Sequence, residues 1–231
     1  SGERGIFNRQ AARVQAAKNG RRETEHDFGC NPCSEIILRP YQFCNLSEVV
    51  VRENDTPETL KEKVRLATIL GTFQATLTNF KYLRNVWKKN TEEERLLGVS
   101  LTGIMDNKLT STTGNTLEVM LEVLRDTAVQ TNAAMAKQLD IPQSTAVTCV
   151  KPSGTVSQLT DAASGIHARH NPFYIRTVRG DNKDPMTQFL ISQGIPSEPD
   201  RDKPVSTTVF SFPMKAPKGA VTRTQMSSIN S

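Results

Sequence analysis

The stretch "GCNPCSEIILRPYQFCNL", residues 29–46, holds three of the four cysteines in a chain of 231 residues. Cys30 and Cys33 make one C-x-x-C pair, and Cys44 stands eleven positions after Cys33. Asn31 and Glu35 flank Cys33, each two residues away. Three thiols, a carboxylate and an amide in so short a segment admit several chemistries. They are structural disulfides, a zinc site, a thioredoxin-type dithiol, a hydrolytic nucleophile, or redox work on a bound substrate.

Bulk composition narrows the choice. Hydrophobic residues make up 36% and charged residues 23%, which is a globular composition with enough chain for a core. No apolar run approaches the ~20 residues of a membrane span. The opening segment "SGERGIFNRQAARVQAAKNGRRE" lacks the apolar centre of a signal peptide. A cytoplasmic location with no membrane partner is expected, and there thiols stay reduced unless they are catalytic. The net charge of +5 comes from scattered residues such as Arg21-Arg22, Lys88-Lys89, Arg176 and Arg179. With no aromatic residues interleaved among them, they read as solvated surface, and no nucleic-acid partner is expected.

Zinc would need a second paired motif, or Cys44 with the distant Cys149 or a histidine, and the spacing supplies only one pair. A thioredoxin-type dithiol has the right spacing but no evident long helix behind it to acidify the thiol, and it stays open. A hydrolytic cysteine needs a base, and His26, His167 and His170 stand in no such context. For redox work on a substrate, an extended loop would point residues i and i+2 the same way, presenting Asn31, Cys33 and Glu35 to one small ligand. The thiol can give up a hydrogen atom, the carboxylate can act as base, and the amide can hold a hydroxyl. Cys44 can supply electrons as half of a disulfide pair. Cys30 and Cys149 read as small buried hydrophobes.

Around this segment helices and strands alternate, so the class is α/β. A short helix is expected at 10–18, an ordered loop at 30–44, and a strand in "LSEVVVRE". Thr56-Pro57-Glu58 is a helix start, with Leu60, Val64, Ala67, Leu70, Phe73, Leu77 and Phe80 as the core face of a long helix. A second helix is expected at 117–139, with Met120, Leu121, Leu124, Ala128 and Met135 on its apolar side. A buried strand at 145–150 leads into the turn Lys151-Pro152-Ser153-Gly154-Thr155 and a following helix. Strands are expected at 173–179 and 205–212, with a capped helix at 184–194 between them. "KGAVTRTQMSSINS" begins like a turn into a helix.

Asn31-Pro32-Cys33-Ser34-Glu35 resembles the Asn-Pro-Cys-x-Glu motif of ribonucleotide reductases. The run on to Cys44-Asn45-Leu46 is similar to that of the adenosylcobalamin-dependent (class II) enzymes. Lys151-Pro152-Ser153-Gly154-Thr155 resembles their substrate-phosphate loop, and "SGERGIFNR", "SGIHARHNPFYIRTVR" and "FPMKAPKGAVTR" read like the same family. The resemblance implies part of a ten-stranded α/β barrel with the active-site cysteine on an inner finger loop. Residues 1–231 would be a partial catalytic barrel domain, a fragment or split-gene product without the N-terminal half of the barrel. It implies Cys33 as the thiyl-radical cysteine, in a buried setting that shields radicals from water. Glu35 would be the base at the 3′-hydroxyl, and Asn31 would hold the ribose hydroxyls. Cys44 would belong to the redox disulfide, its partner lying upstream of this chain. Pro152, Ser153, Gly154 and Thr155 would bind substrate phosphates; Gly permits close approach there, and free N–H groups at a helix start attract phosphate. Adenosylcobalamin would be the cofactor, and no metal site is expected. The implied partners are a ribonucleoside di- or triphosphate, the complementary half of the barrel, and an external dithiol such as thioredoxin. A separate metal-containing radical subunit, or a non-catalytic zinc- or nucleotide-binding module, are the alternatives.

Overall fold

The computed structural model describes residues 5–18 and 20–226. The first element is α1 (Arg9–Ala17), one residue from the expected bounds, with the Asn8 side chain accepting from the Ala11 N–H at 3.0 Å. The expected loop between Cys30 and Cys44 is instead a small hairpin. Strands β1 (Gly29–Cys30) and β2 (Ile37–Leu38) pair antiparallel, Gly29 opposite Leu38 and Cys30 opposite Ile37.

Strand β3 (Asn45–Val50) follows, where "LSEVVVRE" led one to expect it, and helix α2 (Pro57–Gln74) starts at the expected cap. Thr56 and Thr59 cap each other reciprocally and Pro57 opens the first turn. The core stripe of α2 is Leu60, Val64, Ala67 and Gly71. The outer part of the expected apolar face is not core. Leu66, Leu70 and Phe73 make a second stripe about a third of a turn away, and they are exposed. The helix also stops at Gln74, so Leu77 and Phe80 lie beyond it.

Helix α3 (Asn85–Glu94) and strand β4 (Leu97–Thr102) escaped the sequence reading. "NVWKKNTEEE" is nearly all polar, and "LGVSLT" mixes glycine and hydroxyls into a short buried strand, so neither shows a clean period. β4 nevertheless pairs with β3 in parallel, from Asn45↔Leu97 to Val50↔Thr102, with α2 and α3 as the crossover. Helix α4 (Asn115–Gln138) packs beside α2 through Leu124 and Ala128, while Leu121 of its expected apolar side faces outward. Val49, Leu60, Val64, Leu97, Val99, Leu124, Ala128 and Val147 belong to one core cluster. Asn132 is buried on α4 and is satisfied by the Thr72 hydroxyl and by both the N–H and the hydroxyl of Ser144.

The strand expected at 145–150 is not regular. One parallel bridge, Val99↔Thr148, ties it to β4. Leu97 N–H donates to Ala146 O and Val99 N–H to Val147 O, so donors two residues apart meet adjacent acceptors and the ladder slips. The Lys151 N–H then leaves for the Ser100 hydroxyl, and Pro152 has no N–H to give.

Helix α5 (Thr155–Leu159) follows the Lys151–Thr155 turn as expected, though it is one turn long. The last third is a three-stranded antiparallel sheet of order β5 (Phe173–Asp181), β7 (Thr207–Lys215), β6 (Ser197–Pro199). Helix α6 (Pro185–Ser192) is capped by Asp184, and Gly194 takes φ +74° just past its end. Residues 218–226 form turns, and the rest of the expected C-terminal helix lies outside the described residues. The class is mixed α/β: among the described residues, seven strands fall in three separate sheets, the middle one parallel. No described helix is long and apolar enough to cross a membrane.

Candidate active site

Side chains alternate along β3 and β4, so the two faces of that sheet do different work. Ser47, Val49, Leu97 and Val99 face α2 and α4. Leu46, Glu48, Gly98 and Ser100 face the other way, and the candidate residues collect on this side. A Cβ on Gly98 would lie 2.4 Å from Leu46 Cδ2, 3.0 Å from Cys149 Sγ and 3.1 Å from Ile36 Cδ1. The bare glycine lets the cysteine hairpin and the 145–150 segment close over β4.

Asn31, Cys33 and Glu35 sit at the hairpin tip, but not on an extended loop. The Ser34 N–H donates to Asn31 O at 2.9 Å and Ser34 takes φ +64°, which makes a tight turn. The alternation argument therefore fails here, and the residues are assembled differently. Asn31 Nδ2 donates to Glu35 Oε2 at 2.5 Å, and the Ile36 N–H donates to Asn31 Oδ1 at 3.0 Å. The amide thus spends one end on fixing the turn and the other on orienting the carboxylate. Cys33 projects between them and is exposed, where a buried thiol was expected. The turn places it in the loop between the two strands of the hairpin. Cys30 is half-buried, its Sγ 3.6 Å from the Ser34 hydroxyl.

Cys44 and Cys149 are half-buried, and burial pushes both thiols up to about 12. After burial, Cys44 feels Cys149 and Glu35 raising it and the Arg22 guanidinium lowering it. Cys149 feels Glu35 and Glu48 raising it and Lys151 lowering it. Cys149, taken from sequence as structural, thus shares the face of Cys44 and Glu35. Glu48 was also missed, and Lys151, read from sequence only as the start of the phosphate-loop motif, stands beside it. Lys151 Nζ stands 4.0 Å from Glu48 Oε2, the Glu48 side chain is 9% exposed, and its Oε1 has no hydrogen-bond partner. The signal for Glu48 was its step of two from Leu46 along β3.

In the 151–155 loop, Ser153 is 4% exposed and its hydroxyl has no partner, an unusual state for a buried group. Its carbonyl accepts from the Ser164 hydroxyl. Gly154 caps α5 with no side-chain hydrogen bond, leaving the first-turn N–H groups uncapped. The loop is braced from behind: Thr102 Oγ1 donates to Ala163 O at 3.1 Å and accepts from the Gly165 N–H at 2.9 Å. Asp106 accepts from the Ala163 N–H and pairs with Arg169 through two contacts of 2.8 Å. Pro152 makes the bend. Among the described residues no group of three or more His, Cys, Asp or Glu could hold a metal ion. His26 packs edge-on against Phe28 and His170 against Tyr174.

No protein-family model matches the chain. The adenosylcobalamin-dependent ribonucleoside-triphosphate reductase of Euglena gracilis is 30% identical over 192 residues, 82% of this chain and 25% of that protein. The enzyme of the same name from Lactobacillus gasseri is 29% identical over 250 residues, covering 94% and 32%. A crystal structure of a B12-dependent (class II) ribonucleotide reductase superposes with a TM-score of 0.68 at 26% identity, over 84% of this chain and 30% of that one. The chain is a homologue of part of a ribonucleotide reductase. More particularly, its relatives are the adenosylcobalamin-dependent, class II reductases. It spans about a quarter to a third of the length of the curated relatives it matches.

Proposed function

We propose that this chain carries the active-site segment of a cytoplasmic, adenosylcobalamin-dependent ribonucleotide reductase acting on ribonucleoside di- or triphosphates. The triphosphate is favoured, since it is the substrate in the relatives' names. The observation that carries the reading is the Asn31–Glu35 hydrogen bond beside an exposed Cys33. A base and a hydroxyl-binding amide flank a thiol that points into open space.

In this scheme the Cys33 sulfur, as a thiyl, takes the 3′-hydrogen of the ribose. Glu35 takes the 3′-hydroxyl proton while Asn31 orients the hydroxyls. The 2′-hydroxyl leaves as water, and two thiols, Cys44 and a cysteine from another segment, are oxidised to a disulfide. Cys33 returns the 3′-hydrogen at the end. High thiol pKa values do not hinder this, because hydrogen-atom transfer uses the protonated thiol. An external dithiol such as thioredoxin then re-reduces the pair. Pro152, Ser153, Gly154 and Thr155 hold the phosphates, with the unpartnered Ser153 hydroxyl as a ready donor. Adenosylcobalamin, when bound, supplies the initiating radical. The residue of this chain that fits it is Cys33, whose exposed thiol is open to a bulky neighbour. The exposed stripes on α2 and α4, with Leu70 at 67% and Val119 at 59%, fit a complementary part of the barrel packing there and completing the ten strands, with the hairpin as the inner finger.

The test is deoxynucleotide formation by the chain supplied with the remaining part of the barrel, with and without adenosylcobalamin and a dithiol. Cys33→Ser and Cys44→Ser are expected to abolish cobalamin-dependent product. Product that survives Cys33→Ser would overturn the reading.

A further inference from the structure

Arg22 reads from sequence as part of a solvated basic pair, yet its side chain is 4% exposed and sits at the base of the cysteine hairpin. Its guanidinium grips Glu94, at the end of α3, with two contacts of 2.8 and 3.0 Å. A third donor reaches the Ile37 carbonyl on β2 at 2.8 Å, and Gln42 accepts at 3.4 Å. Gln42 in turn donates to Glu94 and to the Asn90 carbonyl and accepts from the Arg39 N–H, so the chain just before Cys44 is tied to the same helix. The buried ring of Phe28 lies under the guanidinium, 4.8 Å from its centre. A planar fork with this many directed donors cannot be replaced by the single ammonium of lysine.

We propose that Arg22 is a positioning residue for the redox chemistry: by clamping the Ile37 carbonyl and Gln42 to Glu94 it fixes the hairpin that carries Asn31, Cys33 and Glu35, and it keeps Cys44 shielded beneath that hairpin. The role rests on the proposed reductase chemistry, because only there do Cys33 and Cys44 need a fixed relation. The charged and titratable groups felt by Cys44 are Cys149, Arg22 and Glu35, and burial outweighs them. Opening the hairpin therefore brings the Cys44 thiol down toward its ordinary range, even though the Arg22 charge is lost at the same time.

The experiment uses the full chain as wild type, Arg22→Met and Arg22→Lys, with Arg65→Met as a control at an exposed α2 pair. Alkylation of each cysteine by iodoacetamide is followed by peptide mass spectrometry from pH 7 to 11, beside amide hydrogen exchange. In Arg22→Met, Cys44 alkylation and exchange over residues 29–44 are expected to speed up by about tenfold or more, as for a local opening. Its alkylation midpoint should fall, the already exposed Cys33 should react as before, and exchange in α2 and α4 should stay unchanged. Arg22→Lys should fall between wild type and Arg22→Met. Unchanged Cys44 alkylation in both variants would overturn the clamp. Faster exchange in α2 and α4 to the same degree would overturn it too, by showing a general loss of fold; Arg22→Lys covers the case in which Arg22→Met does not fold. Protection lost in Arg22→Met, in a chain that makes no deoxynucleotide when completed, would leave the clamp standing and overturn the reductase reading alone.

Discussion

Asn31 Nδ2 and Glu35 Oε2 meet at 2.5 Å across the turn that presents Cys33. The Asn31 side chain also accepts from the Ile36 N–H, so one residue holds both the turn and the carboxylate. Asn31→Ala removes both bonds. It is expected to release the Ile36 amide to exchange at least several-fold faster, since each lost bond is worth ~1 kcal/mol. Asn31→Asp keeps the acceptor for the Ile36 N–H but loses the donor to Glu35, so the Ile36 amide should exchange more slowly than in Asn31→Ala.

Stability should fall at alkaline pH because the half-buried Cys44 and Cys149 thiols hold their protons in the folded chain. Burial, the largest cause for both, raises Cys44 and Cys149 from an ordinary 9.0 to about 12. Between those values the unfolded chain has lost protons that the folded chain keeps, so stability present below about pH 9 drains away as pH rises toward 12. Thermal unfolding at pH 8.5 and 10.5 should show a steeper fall in wild type than in Cys44→Ser/Cys149→Ser. Parallel slopes would contradict it.

Arg169 and Asp106 form a buried bidentate pair, with side chains 3% and 2% exposed. Arg169→Met leaves Asp106 charged and unpaired behind the 161–165 loop, and a loss of ~3–5 kcal/mol is expected in urea unfolding. The Asp106 carboxylate also holds the Ala163 N–H, so nucleotide binding through Ser153 should weaken alongside.

Gly98→Ala tests the close approach over β4. The new methyl would meet Leu46 Cδ2 at 2.4 Å and Cys149 Sγ at 3.0 Å. Overpacking of this kind costs ~1–3 kcal/mol, read as a lower denaturation midpoint. Cys149→Ala in the same chain removes one of the clashing atoms and should recover part of the loss.

By itself the sequence determined the local elements and pointed to the proposed chemistry. Thr56-Pro57 and Asp184-Pro185 start their helices because caps are settled by neighbours two or three residues away. The alternation of "FYIRTVR" makes β5 for the same local reason. The two motifs, Asn31 to Glu35 and Pro152 to Thr155, were legible because residue type at short spacing carries them. Tertiary structure decided what depends on partners far along the chain. β4 is a strand because β3 and the 145–150 segment lie on either side of it, not because "LGVSLT" prefers one. Arg22 is buried because Glu94, seventy-two residues on, neutralises it. Glu48, Lys151 and Cys149 join the face of Cys44 because a parallel pair and a glycine bring them there. Leu60 and Leu70 read alike in sequence, and only the position of the neighbouring sheet and α4 made one core and the other surface.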